Sequence, residues 1–270
     1  MGLKINVFGK SDKGMVRTNN EDNYCIDESI KLFVVADGAG GHLSGEMASK
    51  LAVEVIPEQM KHMLIDGQKM QIGKYNPKFS EKANMLTTAV EFANRVIFEA
   101  SQKYPKNYGM ATTCVAVLFN DDKTISYTNV GDSRIYLIRD NKMSQITNDH
   151  SLVQEQVRQG IISAEEAEKV EYKNILTRAL GSVENVEIDT NEIAVNNGDY
   201  LLLCTDGLLR MVDDPVIIRS IIENKEPQKI VSELVSLANE KGGKDNITVV
   251  LCQITREEKL FNKLWSSITR

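Results

Sequence analysis

The chain has 270 residues, 42% of them apolar, enough to bury one sizeable core. Its formal net charge of −6 and pI near 5.3 exclude nucleic acid as the main partner, because phosphate backbones are drawn to basic surfaces. No apolar run approaches the ~18 residues of a spanning helix, so a soluble cytoplasmic protein with no membrane span is expected.

The opening segment MGLKINVFGKSDKG carries no hydrophobic signal region. Asn6 stands where a myristoylation signal after Gly2 requires Ser or Thr. In chain order, β-rich runs predict strands at Lys4–Lys10, Asn23–Asp27 and Lys31–Ala36. Two helices follow. The first starts near Ser44, a suitable N-cap, and is expected to stop where Pro57 removes a backbone donor. The second begins behind the N-cap Ser80 and sets Ala83, Leu86, Val90, Ala93, Ile97 and Ala100 on one stripe.

Strands at Thr112–Asn120, Thr124–Val130 and Arg134–Arg139 come next, with turn residues Asp121-Asp122 and Asp140-Asn141 between neighbours. Residues 112–146 are therefore expected to form an antiparallel meander. Ser151–Tyr172 is polar and helical and reads as a surface flap inserted between strands. Strands at Val186–Ala194 and Tyr200–Thr205, helices at Pro215–Asn224 and Pro227–Glu240, and a strand at Ile247–Thr255 complete the order. The pattern predicts an α+β protein, two packed and mainly antiparallel sheets covered by helix pairs, as a single domain over residues 1–256. In the tail 257–270, Leu260, Phe261, Leu264, Trp265 and Ile268 recur at helical spacing, as in an amphipathic extension docked on its own domain.

Four aspartates mark the chemistry. Asp37, Asp132, Asp206 and Asp245 each sit where an apolar run meets a polar turn. A carboxylate at the mouth of a buried strand is costly unless a cation or donors compensate it. Four of them in one small domain predict a carboxylate cluster of the kind that holds Mg²⁺ or Mn²⁺ through oxygen ligands. In Asp37-Gly38 and Asp206-Gly207 the glycine allows a sharp turn, and its carbonyl can approach a metal. Two such ions about 3.5–4 Å apart lower the pKa of a bridging water enough for it to attack phosphorus. In RTNNEDNY, Arg17 offers a planar fork for phosphoryl oxygens, and Glu21 and Asp22 offer supporting carboxylates.

RTNNED, VVADGAGGHLSGEMAS, GMATTCVAV, NVGDSRIYLI, ILTRALG, LLCTDGL and GGKDNITVV together resemble the bacterial metal-dependent serine/threonine protein phosphatases of the 2C type, over about residues 4–255. The resemblance implies an αββα sandwich with two Mn²⁺ or Mg²⁺ ions between the sheets. It implies that Asp37 bridges both ions, that the Gly38 carbonyl binds the first, and that Asp206 and Asp245 bind the second. Asp132, with Asp206, resembles a weaker third-metal site. Arg17 matches the phosphate-binding arginine, Glu21 and Asp22 the supporting acids, and Asn246 a residue orienting a metal-bound water. Thr112 and Thr113 match a structural small-residue segment. Phosphorylated proteins, and a serine/threonine kinase whose work is reversed, are the implied partners, and a monomer is expected.

The chain departs from the pattern at Ala39, where many eukaryotic relatives carry a histidine proposed as the general acid. His42, three residues further on, reads equally as a polar start to the Ser44 helix or as a proton donor, with a metal-bound water as the other source of the proton; His150 is expected to cap or pack the flap helix, and His62 reads as surface. Competing phosphate chemistries fail on residues. Cys204 and Arg210 have the spacing of cysteine-dependent phosphatases, but Asp206 between them would repel both phosphate and thiolate. Ala36-Asp37-Gly38 lacks the second carboxylate of an Asp-x-Asp pair, and Gly38–Gly41 opens no Walker loop. Cys25, Cys114, Cys204 and Cys252 sit in strand-like runs without a CxxC pair and read as buried thiols. A non-catalytic relative would lack metal-ligand positions, and none is missing.

Overall fold

In the strand β3 (Leu32–Ala39), successive side chains point to opposite faces, and both faces are buried. Leu32, Val34 and Ala36 join a cluster on one side, while Phe33 and Val35 join another on the opposite side. The same division holds in β5 (Cys114–Phe119): Cys114, Ala116 and Leu118 face one way, and Val115, Val117 and Phe119 the other. A sheet buried on both faces must lie inside a layered structure, and these clusters define the layers. The computed structural model describes residues 3–40, 43–67, 75–103, 107–121, 123–167, 170, 172 and 175–256.

One sheet runs in the order β2 (Asp22–Asp27), β3, β5, β6 (Thr124–Val130) and β9 (Asp189–Ala194), with the short β4 (Ala111–Thr112) paired to the end of β3. The other runs β1 (Leu3–Asp12), β11 (Ile247–Arg256), β10 (Tyr200–Cys204), β7 (Arg134–Arg139) and β8 (Lys142–Gln145). Every pairing named is antiparallel, and β1 and β11 pair over their full length, from Leu3↔Arg256 to Asp12↔Ile247. Between the sheets, Phe33, Val35, Val117, Leu201, Leu203, Val250 and Ile254 interleave, and Phe33 meets Phe119 edge to face at 5.8 Å. Helices α1 (Leu43–Leu64) and α2 (Glu81–Lys103) cover the first sheet, and α6 (Asp214–Glu223) and α7 (Pro227–Glu240) cover the second. The result is the expected four-layer αββα sandwich.

Most elements fall where the sequence places them. Ser80 caps α2 by accepting the Ala83 N–H at 3.1 Å. Asp140 and Asn141 both take positive φ, 51° and 59°, as a two-residue hairpin between β7 and β8 requires. Three expectations need correction. The first helix does not stop at Pro57 but runs on to Leu64. A proline inside a helix costs about 3 kcal/mol, but Ile56 and Met60, before and after it, are fully buried, and their packing in the core outweighs that cost.

The second correction concerns residues 112–146, which do not form one meander. They make two hairpins in different sheets, β5–β6 and β7–β8, and the chain crosses between the sheets at Gly131-Asp132-Ser133. The third is local: the run Thr112–Asn120 breaks at Thr113, and β9 begins at Asp189 rather than Val186. The flap contains two short helices, α3 (Leu152–Arg158) and α4 (Ala164–Ala167), with Ser151 rather than His150 as the N-cap of α3. Residues 257–270, Gly2 and His42 lie outside the described residues. Among the described residues no helix is long and apolar enough to cross a membrane.

Candidate metal centre

Strand parity delivers the first carboxylates. Asp37 shares the inter-sheet face of β3 with Phe33 and Val35, two residues beyond the apolar filling. Asp22 on β2 is its direct cross-strand partner and therefore projects on the same face. Like charges placed opposite one another in a sheet repel, so this pair requires a compensating cation or a proton. From the facing sheet, Asp206 opens the short helix α5 (Asp206–Leu209) after β10, and Asp245 precedes β11. Asp132 enters from the crossover between β6 and β7.

These elements converge on a cavity of about 250 Å³. Its walls include Arg17, Glu21, Asp37, Gly38, Asp132, Asp206, Asp245 and Asn246, all of them singled out from the sequence. Ala39 also lines it, and no described histidine does. Asp22 lies beneath, 3% exposed, with Oδ2 accepting from the Thr205 hydroxyl at 2.8 Å. A second cavity of about 500 Å³ under the flap shares Asp132, Asp206 and Arg210 with the first.

Two threonines fix the Asp37 peptide on both sides. Its N–H donates to Thr113 Oγ1 at 2.9 Å, and its carbonyl accepts from Thr112 Oγ1 at 2.9 Å and from the Thr113 N–H at 2.8 Å. The structural role expected of these threonines is thus to hold Asp37. Gly38 is required by close approach: a Cβ there would collide with the Gly45 and Glu21 carbonyl oxygens.

The electrostatics follow from crowding. Burial, with Asp206 and Asp245 nearby, pushes the Asp22 carboxyl up to about 7 against hydrogen bonds from Thr248 and Thr205. Burial, then the charges of Asp206 and Asp149, pushes Asp132 up to about 7. Asp37 rises well above the carboxylate range through burial and the charges of Asp22, Asp206, Asp132 and Asp245. Burial raises Asp206 too, with Arg210 opposing and Asp245 adding to the shift.

Arginines answer part of this charge. Arg17 Nε lies 2.8 Å from Asp245 Oδ1, and its Nη2 donates to Oδ2 at 2.9 Å. Arg210 Nη1 donates to Asp245 Oδ2 at 2.9 Å, and its Nη2 is bonded to Asp206 Oδ2. The role of Arg210 was not read from the sequence, although its position four residues after Asp206 on one helical turn is a usable signal.

Asn246 lines the cavity and also ties three backbone segments together. Its Oδ1 accepts from the Glu21 N–H at 2.8 Å, and its Nδ2 donates to the carbonyls of Lys13 and Asn19 at 2.9 and 2.8 Å. The amide is committed to bracing the loop that carries Arg17. Cys204 is excluded as a nucleophile on two counts. It faces the helix layer with Leu202, away from the cavity, and burial pushes its thiol up to about 12.

Among the described residues no three acidic, histidine or cysteine side chains converge on one point at ligand distance. The donor set still fits divalent cations. It is made of oxygens alone, it carries more negative charge than Arg17 and Arg210 neutralise, and Asp22 Oδ1 and Asp206 Oδ1 are buried without a hydrogen-bond partner.

Comparison with known proteins identifies the family. The family model for protein phosphatase 2C matches residues 15–252. The serine/threonine phosphatase stp of Listeria innocua is 35% identical over 247 residues, covering 90% of this chain and 94% of that protein. The Mycobacterium tuberculosis serine/threonine phosphatase PstP/Ppp superposes with a TM-score of 0.81 at 32% identity, covering 95% of this chain and 100% of that one. The catalytic domain of PstP in complex with two manganese ions gives 0.77 at 32% identity, covering 94% and 100%. With a matching sequence, the same sandwich and a carboxylate cavity between its sheets, the chain belongs to the protein phosphatase 2C family.

Proposed function

We propose that this protein is a phosphoserine/phosphothreonine protein phosphatase that works on two Mn²⁺ or Mg²⁺ ions, with a weaker third site. The observation that carries the reading is the gathering of Asp37, Asp132, Asp206 and Asp245 with Arg17 around one cavity. In this reading Asp37 would serve both ions, the Gly38 carbonyl the first, and Asp206 and Asp245 the second. Asp132 with Asp206 would hold the third. When bound, the ions neutralise the carboxylates and supply a water acidic enough to attack phosphorus at neutral pH.

The chain's own residues do the rest. Thr112 and Thr113 keep Asp37 from shifting as charge changes around it. Asp22, held by Thr205, supports Asp37 from the neighbouring strand, and Glu21 supports it from the cavity wall. Arg17 is 54% exposed at the rim, where its fork can leave Asp245 and receive phosphoryl oxygens. The flap cavity beside Asp132 receives the residues around the phosphosite. The physiological role is to oppose a serine/threonine kinase, and four free cysteines fit a reducing cytoplasm.

The deciding assay is hydrolysis of a phosphothreonine peptide with and without chelator. Activity is expected to require added Mn²⁺ or Mg²⁺ and to survive iodoacetamide. Turnover that persisted in excess EDTA and vanished on alkylation would overturn the assignment in favour of a thiol. For Arg17→Ala, KM should rise about ten- to a hundredfold with a smaller change in kcat. Calorimetry should show no loss of metal affinity, since the substitution removes a cation that competes for Asp245. An unchanged KM would take Arg17 out of phosphate binding.

A further inference from the structure

His150 is 1% exposed and lies outside the cavity walls, yet it grips the peptide that carries Asp132. Its ring Nδ1 accepts the Gly131 N–H at 3.2 Å, and its own backbone N–H donates to the Gly131 carbonyl at 2.9 Å. Because Gly131 is the donor, Nδ1 must be unprotonated and Nε2 must carry the proton. Nε2 then donates to Asp189 Oδ2 at 3.3 Å, Asp189 Oδ1 accepts from Arg178 Nη1 at 2.9 Å, and the same Nη1 stands 3.4 Å from Nε2 as a second donor that makes no hydrogen bond to it.

On its other side Gly131 meets Thr113, the residue that fastens Asp37. A Cβ on Gly131 would come within 2.6 Å of Thr113 Cγ2, and its φ of +102° is one that side chains rarely adopt. The crossover peptide is thus clamped between Thr113 and His150, with Asp132 as the next residue.

We infer that His150 is a positioning residue of the phosphatase centre: Asp189, anchored by Arg178, fixes its tautomer, and its Nδ1 fixes the Gly131–Asp132 peptide so that Asp132 is presented to a cation. This rests on the reading of Asp132 as a ligand of the weaker site. A packing histidine would need only its volume. A positioning histidine needs an acceptor at the place of Nδ1.

Asparagine and glutamine separate the two, because the Asn amide oxygen sits near the place of Nδ1 and the Gln amide near that of Nε2. Mn²⁺ stoichiometry and affinity are measured by calorimetry on the full chain for wild type, Asp132→Asn, His150→Asn and His150→Gln. Turnover of a phosphothreonine peptide is followed in parallel. Asp132→Asn should abolish the weakest class of ions. His150→Gln should weaken it roughly tenfold, the worth of one hydrogen bond, and lower kcat without raising KM.

His150→Asn should keep that class within about threefold of wild type and retain kcat. Equal losses in both His150 variants, or a loss in His150→Asn greater than in His150→Gln, would overturn the inference. Should His150→Gln fail to fold, His150→Asn decides alone: retained weak binding supports the inference, and lost weak binding overturns it. If Asp132→Asn itself left the weakest class intact, the ligand reading of Asp132 would fall first, and the inference with it.

Discussion

Asp37→Asn is expected to lower kcat on a phosphothreonine peptide by about a thousandfold or more, roughly 4 kcal/mol of transition-state stabilisation, and to remove both tight metal sites in calorimetry. The reason is position. Asp37 is the carboxylate toward which the charges of Asp22, Asp206, Asp132 and Asp245 are all directed, so it is the one able to serve two ions at once. The backbone should not move, because Thr112 and Thr113 hold the peptide rather than the side chain. A second readout distinguishes this from simple damage. In EDTA the variant should melt higher than wild type, because an amide opposite Asp22 removes a repulsion. Loss of activity with two tight ions retained would show that Asp37 is not the shared ligand.

In excess EDTA, the wild-type protein should lose stability as pH rises from about 5.5 to 8, and saturating Mn²⁺ should reverse the trend. Asp22 and Asp132 are raised from the ordinary 3.8 to about 7 in the folded chain. A group with a raised folded pKa binds its proton more tightly when folded. Its contribution is complete below the unfolded value and is lost as pH climbs through the folded one. Between pH 5.5 and 7 each such group costs about 2 kcal/mol of stability. Coupling keeps the two from adding fully, so a fall in Tm of about 5–10 °C is expected for a domain of this size.

The carboxylates with lowered values, such as Asp12, Asp27 and Asp189, lose their contribution only on acidification below that window. Metal binding displaces the cluster's protons, so affinity should increase with pH over the same range. A flat or rising Tm in EDTA between pH 5.5 and 8 would mean that the cluster is not protonated in the metal-free chain.

The sequence alone determined the layers and the inventory of the site. Apolar runs such as LFVVA and VVLC can only be strands buried on two faces, and the stripe behind Ser80 can only be a helix laid on them. Asp37, Asp132, Asp206 and Asp245 were legible together because a carboxylate ending a buried strand is costly unless a cation or donors compensate it, and four in one small domain point to a cation. Arg17 and Gly38 came with the same local signals, and the motifs together pointed to the family.

Four things waited for the tertiary structure. Pro57 stays inside α1 because packing of Ile56 and Met60, several kcal/mol of burial, outweighs a local backbone penalty. Residues 112–146 divide between two sheets because hairpin signals specify turns, and only three-dimensional closure decides that Gly131 carries the chain across. Asn246 became a brace and Arg210 a clamp on Asp206 and Asp245 because their partners lie elsewhere in the fold or were hidden by a cysteine-phosphatase spacing. His150 acquired its grip on Gly131 across nineteen positions of chain. A sequence fixes which groups must be compensated, through local burial and periodicity. Which atoms compensate them is set by long-range packing, which no local pattern encodes.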